Sequence, residues 1–169
     1  QSARMQASVD RYLAAGLAAD HRQRTPVAVV AQAMCRLMAR VHGERGITFT
    51  AAGIDPALQF AGAGADLEEM LGNLLDNAGR WAQQQVHVNA EVNEGQLRIE
   101  VRDDGPGLAA DALERVTQRG VRLDEREGSS GLGLAIVGDI AASYGGRVAL
   151  ENAQPGLRAT LWLPGTTQR

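Results

Sequence analysis

Apolar positions along this chain recur with two periods, and the switches between them mark the elements. Val9, Leu13 and Leu17 are spaced by four, which puts them on one face of a first helix ending near Asp20. Arg22 to Pro26 reads as a connector, because proline breaks a helix and extends the residue before it. A short extended piece is expected around Val27 to Val29. Val30, Met34, Leu37, Met38 and Val41 mark a second helix, closed by Gly43 to Gly46. Ile47 to Ala51 alternates as a strand does, Asp55-Pro56 turns, and Leu58 to Ala61 is a short strand.

Leu67, Met70, Leu71, Leu74, Leu75 and Ala78 follow the helical period most closely. Asp66, Glu68 and Glu69 sit in the first turn of that helix, where the dipole favours negative charge. The period then falls to two through Val86, Val88, Ala90 and Val92. After Asn93-Glu94-Gly95 it resumes at Leu97, Ile99 and Val101, which predicts a hairpin. A helix is expected over Ala110 to Val116. Gln118 to Ser130 is polar, has no period and is long for a plain connection, so it reads as a mobile lid or a disordered stretch. A helix from Leu132 to Tyr144 follows. A hairpin of Arg147 to Asn152 and Leu157 to Leu163, turned at Gln154-Pro155-Gly156, ends the chain. Hairpin strands with helices in one covering layer predict a two-layer α/β (α+β) sandwich rather than a Rossmann fold.

Composition narrows the function classes. The 169 residues suit one domain with a real core. No apolar run approaches the roughly 20 residues of a membrane span, and no secretory signal opens the chain. A net charge of −3 argues against nucleic acid as the main partner. The one cysteine, Cys35, excludes an internal disulfide and lies on an apolar helical face, where packing is its expected role.

Three segments carry candidate chemistry. Asn73 and Asn77 are four apart, so they share a face beside the apolar stripe of their helix. Their carboxamides can ligate a hard cation by oxygen and donate to phosphate by nitrogen. Asp103 ends a strand just before Gly105 and Gly107. A carboxylate there can accept from an exocyclic amine, and the glycines let a flat ring approach the backbone, although the same residues also make an ordinary turn. Gly128-Ser129-Ser130-Gly131-Leu132-Gly133 leads into a helix, whose unpaired N–H groups and positive dipole end make a phosphate site.

In that order the segments resemble the N, G1 and G2 boxes of the GHKL (Bergerat) ATP-binding fold, with a mixed, mainly antiparallel sheet. Within that superfamily the chain resembles the catalytic domain of a bacterial sensor histidine kinase of the PhoQ type, from about Thr25 to Leu163. The resemblance implies ATP and Mg²⁺ as cofactors. Asn77 would be the metal ligand, supported by Asn73. Arg80, where the family often has lysine, would reach toward phosphate, and Trp81 could pack on the base. Asp103 would accept from the adenine amine, Gly105 and Gly107 would shape the base pocket, and Gly131 and Gly133 would place N–H groups on the phosphates. Gln118 to Ser130 would be the ATP lid, with Arg122 and Arg126 as its phosphate contacts.

The resemblance further implies division at residue 24. Residues 1–24 would be the end of the second dimerisation helix and a linker, and residues 25–169 the catalytic domain. The partners would be an upstream histidine-phosphoacceptor domain and, through it, a response regulator. The full-length protein would be a homodimer anchored in the inner membrane, with this domain in the cytoplasm.

One departure from related enzymes separates two chemistries. Gyrase-type and MutL-type ATPases place a glutamate four residues before the metal asparagine, as base for the attacking water. Asn73 stands there in this chain and takes no proton at neutral pH. That favours transfer to a histidine over hydrolysis. The alternatives are an anti-sigma-type serine kinase of the same fold and a nucleotide-binding switch without catalysis. His21-Arg22-Gln23-Arg24-Thr25-Pro26 imitates the family's phosphoacceptor box but has Arg22 in place of its acidic residue. Only about 40 residues separate Pro26 from Leu67, too few for a two-helix hairpin before the ATP helix. The acceptor is therefore expected upstream. His42 and His87 are expected to be solvated.

Overall fold

A computed structural model of the chain describes residues 19–119 and 132–168. The elements run β1 (Thr25–Pro26), α1 (Val27–Val41), a 3-10 turn (Gly43–Arg45), β2 (Thr48–Thr50), β3 (Leu58–Phe60) and α2 (Gly64–Trp81). They continue as β4 (Gln85–Asn93), β5 (Gln96–Asp103), α3 (Ala110–Arg119), α4 (Leu132–Ser143), β6 (Arg147–Asn152) and β7 (Leu157–Thr167).

The seven strands form one sheet in the order β1-β3-β7-β5-β4-β2, with β6 also on β7. Every pairing is antiparallel except β2 with β4. The predicted two-layer sandwich with a mainly antiparallel sheet is therefore the observed architecture. On the covered face, Val86, Val88, Leu97, Ile99, Val101, Leu161 and Leu163 are almost wholly buried. Helices α1, α2 and α4 lie on that face with α2 between the other two. Its Leu67, Met70, Leu71, Leu74 and Leu75 are buried, so the 3.6-residue stripe points into the core as its spacing requires. The other sheet face carries charge, with Arg98 on Glu91 and Arg158 on Glu151 across neighbouring strands. Among the described residues no helix is long and apolar enough to cross a membrane.

Three expectations need correction. Val27 to Val29 is not extended. The strand is the two residues before it, and helix α1 starts at Val27. Pro26 ends the extended backbone at φ −65° and ψ 120°, and helix formation then buries Val27, Ala28, Val30 and Ala31 together. Packing overrides the strand preference of the β-branched run. The last strand does not stop at Leu163. It continues to Thr167 and changes partner, pairing with β6 and β5 first and with β3 from Gly165 onward. A Cβ at Gly165 would lie 2.5 Å from Leu97, so the glycine permits a close crossing. Third, His42 is not solvated, as described below.

Helix α3 runs three residues beyond Val116 and takes in Gln118. Residues 120–130 of the expected lid, with Arg122 and Arg126, lie outside the described residues, as do Gly131 and the first helix around Val9 to Leu17. Cys35 packs in the core as expected, and burial pushes its thiol up to about 11. His87 is exposed, with its Nδ1 2.7 Å from the Thr50 hydroxyl.

Candidate nucleotide site

Helix α2 supplies the centre of the site. Asn73 Nδ2 donates to the Glu69 carbonyl oxygen at 2.7 Å and to Glu69 Oε2 at 3.3 Å. Both partners are acceptors only, so the amide has one sensible orientation: nitrogen toward Glu69, Oδ1 away from it. That oxygen faces the start of α4. A Cβ on Gly133 would lie 2.7 Å from Asn73 Oδ1, closer than real contacts allow. Gly133 thus lets the first turn of α4 close on Asn73. Asn77 stands one turn further along α2 and is half-buried. Arg80, also half-buried, pairs with Asp76 at 3.4 Å, and the other Asp76 oxygen meets His42 Nε2 at 2.9 Å.

The second side of the site is the end of β5. Asp103 is only 4% exposed. Its Oδ1 accepts from the backbone N–H of Gly105 at 2.8 Å and of Leu157 at 3.3 Å. Burial raises its carboxyl pKa above the ordinary carboxylate value, and these two N–H groups offset only part of that. Among the described residues no hydrogen bond engages Oδ2. That leaves an acceptor edge on a rigidly held group.

Gly105 and Gly107 make their closest approaches to the protein itself. A Cβ at Gly105 would lie 2.1 Å from the Trp81 carbonyl oxygen, and one at Gly107 would lie 2.6 Å from Asn152 Oδ1. The first glycine draws the Asp103 loop onto the end of α2. The second, at φ +77°, lets Asn152 hold the loop from β6. Asn152 Oδ1 accepts from Leu108 N, and its Nδ2 donates to Leu108 O, both at 2.9 Å. Trp81 is half-buried, and its buried indole Nε1 has no hydrogen-bond partner among the described residues.

The fold therefore brings α2, the Asp103 loop and the start of α4 into one neighbourhood, from three separated stretches of sequence. It adds residues that sequence reasoning missed. Asn152 has no sequence signal, since an asparagine ending a strand is commonplace. Gly156 was read only as a turn, yet a Cβ there would lie 2.6 Å from Asp103 Oδ1. Among the described residues no three His, Cys, Asp or Glu side chains cluster to hold a metal ion. A divalent ion here would rely on amide oxygen and on nucleotide phosphates. The Asn73 oxygen, freed by the orientation Glu69 imposes, fits that donor set.

A two-layer sandwich with a carboxylate at a strand end, amides on a central helix and a glycine at the next helix start defines a nucleotide-binding domain. Residues 62–167 match the family described as histidine kinase-, DNA gyrase B-, and HSP90-like ATPase, and the chain belongs to that family. It is 42% identical over 133 residues to the sensor protein kinase CarS of Pseudomonas aeruginosa, covering 78% of this chain and 29% of CarS. It is 30% identical over 135 residues to the sensor protein PhoQ of Escherichia coli, covering 80% of this chain and 28% of PhoQ. The chain thus spans less than a third of these curated relatives.

Among solved structures it superposes on full-length ShkA in complex with AMPPNP with a TM-score of 0.72 at 28% identity, over 86% of this chain and 32% of ShkA. On the mycobacterial sensor histidine kinase MprB the TM-score is 0.73 at 26% identity, over 87% of this chain and 99% of that one. The fold is that of histidine kinase catalytic domains.

Proposed function

We propose that this chain is the catalytic ATP-binding domain of a two-component sensor histidine kinase. It would transfer the γ-phosphate of Mg·ATP to a histidine on a separate dimerisation domain, from which the phosphate passes to a response-regulator aspartate. The observation that carries the reading is the close approach of Gly133 to Asn73. It joins a helix start suited to phosphate with an amide at the position where hydrolytic relatives keep a glutamate base. The relatives named as sensor kinases support the same reaction.

The chain's own residues would bind and orient rather than exchange protons. Phosphoryl transfer is mostly positioning and charge stabilisation, so a site without a base suffices when the acceptor imidazole is the nucleophile. Asp103 would accept from the adenine amine through Oδ2. Gly105 and Gly107 would keep the loop close enough for the base, with Trp81 against its ring. Asn77 and Asn73 Oδ1 would hold Mg²⁺, which neutralises charge between the phosphates when bound. Arg80 would reach toward phosphate, Gly131 and Gly133 would offer backbone N–H groups, and Arg122 and Arg126 would add charge from the segment before α4.

We further assign residues 1–24 to the end of the second dimerisation helix and its linker, and residues 25–169 to the catalytic domain. The parent protein would be a homodimer anchored in the bacterial inner membrane, with this domain in the cytoplasm. The test is incubation with γ-labelled ATP, with and without a matching dimerisation domain in trans. The expected product is an acid-labile, alkali-stable phosphohistidine on that partner, with none on this chain, His21 included. Rapid phosphate release that depends on Asn73 would overturn the reading.

A further inference from the structure

We infer that His42 is a positioning residue for nucleotide binding: through Asp76 it fixes the guanidinium of Arg80. The inference rests on the phosphate-directed role of Arg80 given above. His42 follows α1 and stands 34 residues before Asp76 in the chain. Its Nε2 lies 2.9 Å from Asp76 Oδ1, and its side chain is 11% exposed. Asp76 lies between Asn73 and Asn77, and its other oxygen, Oδ2, meets an Arg80 terminal nitrogen at 3.4 Å.

An ion pair one helical turn apart on a partly exposed surface is weak alone, because both side chains lose rotamer freedom to form it. Here that cost is reduced on one side, since Asp76 is already held by a histidine from another element. The histidine is itself confined. A Cβ at Gly79 would lie 2.8 Å from the His42 ring and 2.8 Å from Phe49, so the imidazole is packed against α2. The same turn grips the end of that helix. Arg45 donates to the Gly79 carbonyl at 2.6 Å, to that of Arg80 at 3.2 Å, and to that of Ala82. The stretch from His42 to Arg45 therefore touches both the backbone of the last turn of α2 and, through Asp76, the Arg80 side chain.

The test measures Mg·ATP and Mg·ADP dissociation constants by calorimetry on the whole chain, with thermal unfolding alongside. The variants are Arg80→Ala, His42→Ala, His42→Gln, Asp76→Asn and the double variant His42→Ala/Arg80→Ala. His42→Ala is expected to weaken Mg·ATP about threefold, the order of one partly exposed charge contact. Asp76→Asn, which keeps the packing at Gly79, is expected to do the same, and His42→Gln to recover most of the loss through its amide donor. In the Arg80→Ala background the His42→Ala effect should vanish, a coupling that a merely structural role does not produce. If Arg80→Ala weakens ATP while both His42→Ala and Asp76→Asn bind normally, this inference is overturned and the role of Arg80 stands. Full additivity of His42→Ala and Arg80→Ala also overturns it. If Arg80→Ala itself binds ATP normally, the underlying assignment falls and takes the inference with it.

Discussion

Asp103 and Asp104 are chain neighbours whose carboxyl groups are shifted in opposite directions. Burial raises Asp103 more than its bonds to Gly105 and Leu157 lower it. Desolvation is the largest single influence on Asp104 and raises it, but the backbone N–H groups of Gln84, Gln85 and Gln83, with its own, together outweigh that and leave it below the ordinary value. Three donors at 2.8 to 3.2 Å converge on one carboxylate where β4 begins. The two carboxylates differ in what holds them at the end of β5: Asp104 gathers the N–H groups at the start of β4, and Asp103 engages backbone N–H groups through Oδ1.

Asp104→Asn should therefore destabilise the domain at neutral pH by roughly 1 kcal/mol, the order separating charge-assisted from neutral hydrogen bonds. A lowered folded pKa contributes stability that is present above the ordinary carboxylate pKa and lost as pH falls through the folded one. The gap between parent and variant in denaturant unfolding should close over that acid range. A gap that persists at the lowest pH would contradict the assignment.

Asp103→Asn should behave oppositely. A raised folded pKa means the ionised group costs stability, and this cost grows as pH rises from the ordinary carboxylate value to the raised one. The free variant should be at least as stable as the parent at pH 7, and its advantage should disappear in acid. Binding should suffer, because the Gly105 and Leu157 N–H groups hold the amide oxygen and turn its nitrogen toward the ligand. A donor would then face the adenine amine, and affinity for ATP should fall about tenfold. In the parent, ATP should exceed GTP by a similar factor. Unchanged ATP affinity would remove Asp103 from the base site.

Gly133→Ala and Gly105→Ala should separate binding from folding. The added methyl at 133 meets a side-chain amide, which can turn, whereas at 105 it meets the Trp81 carbonyl at 2.1 Å. Gly105→Ala should lower stability by roughly 1–3 kcal/mol or more, as overpacking does. Gly133→Ala should melt near the parent and bind Mg·ATP more weakly. Equal effects on both measurements in both variants would refute the division.

Asn77→Ala should leave the fold intact, since the side chain is half-buried beside the core stripe and not in it. Binding of nucleotide with Mg²⁺ should weaken severely, while binding without the metal should change little. Calorimetry with and without Mg²⁺ reads the difference directly. An equal loss in both conditions would point to a phosphate contact in place of a metal ligand.

Periodicity revealed most of the architecture, because the core here is local in pattern. Leu67 to Ala78 on α2 and the alternating residues of β4 and β5 declare their buried faces within a few turns or residues. The errors fall where a distant element decides. The valines after Pro26 became helix because α2 lies beside them, and β7 ran past Pro164 because β3 was waiting at its end. His42 looked like a solvated turn residue until Asp76, on another helix, was brought to 2.9 Å.

The sequence by itself determined the two-layer sandwich, the order of its elements and the residue types proposed to meet a nucleotide, since each rests on spacing within one segment. Tertiary structure alone decided how those residues are held. The Asn73 amide is oriented one turn away by Glu69 and crowded by Gly133 from the next segment. Asp103 is buried by contact with Leu157 and Gly156, and its loop is fastened by Asn152 from the final hairpin. Orientation, burial and pKa depend on atoms brought within hydrogen-bond range, and chain position carries no record of that distance until the sheet closes.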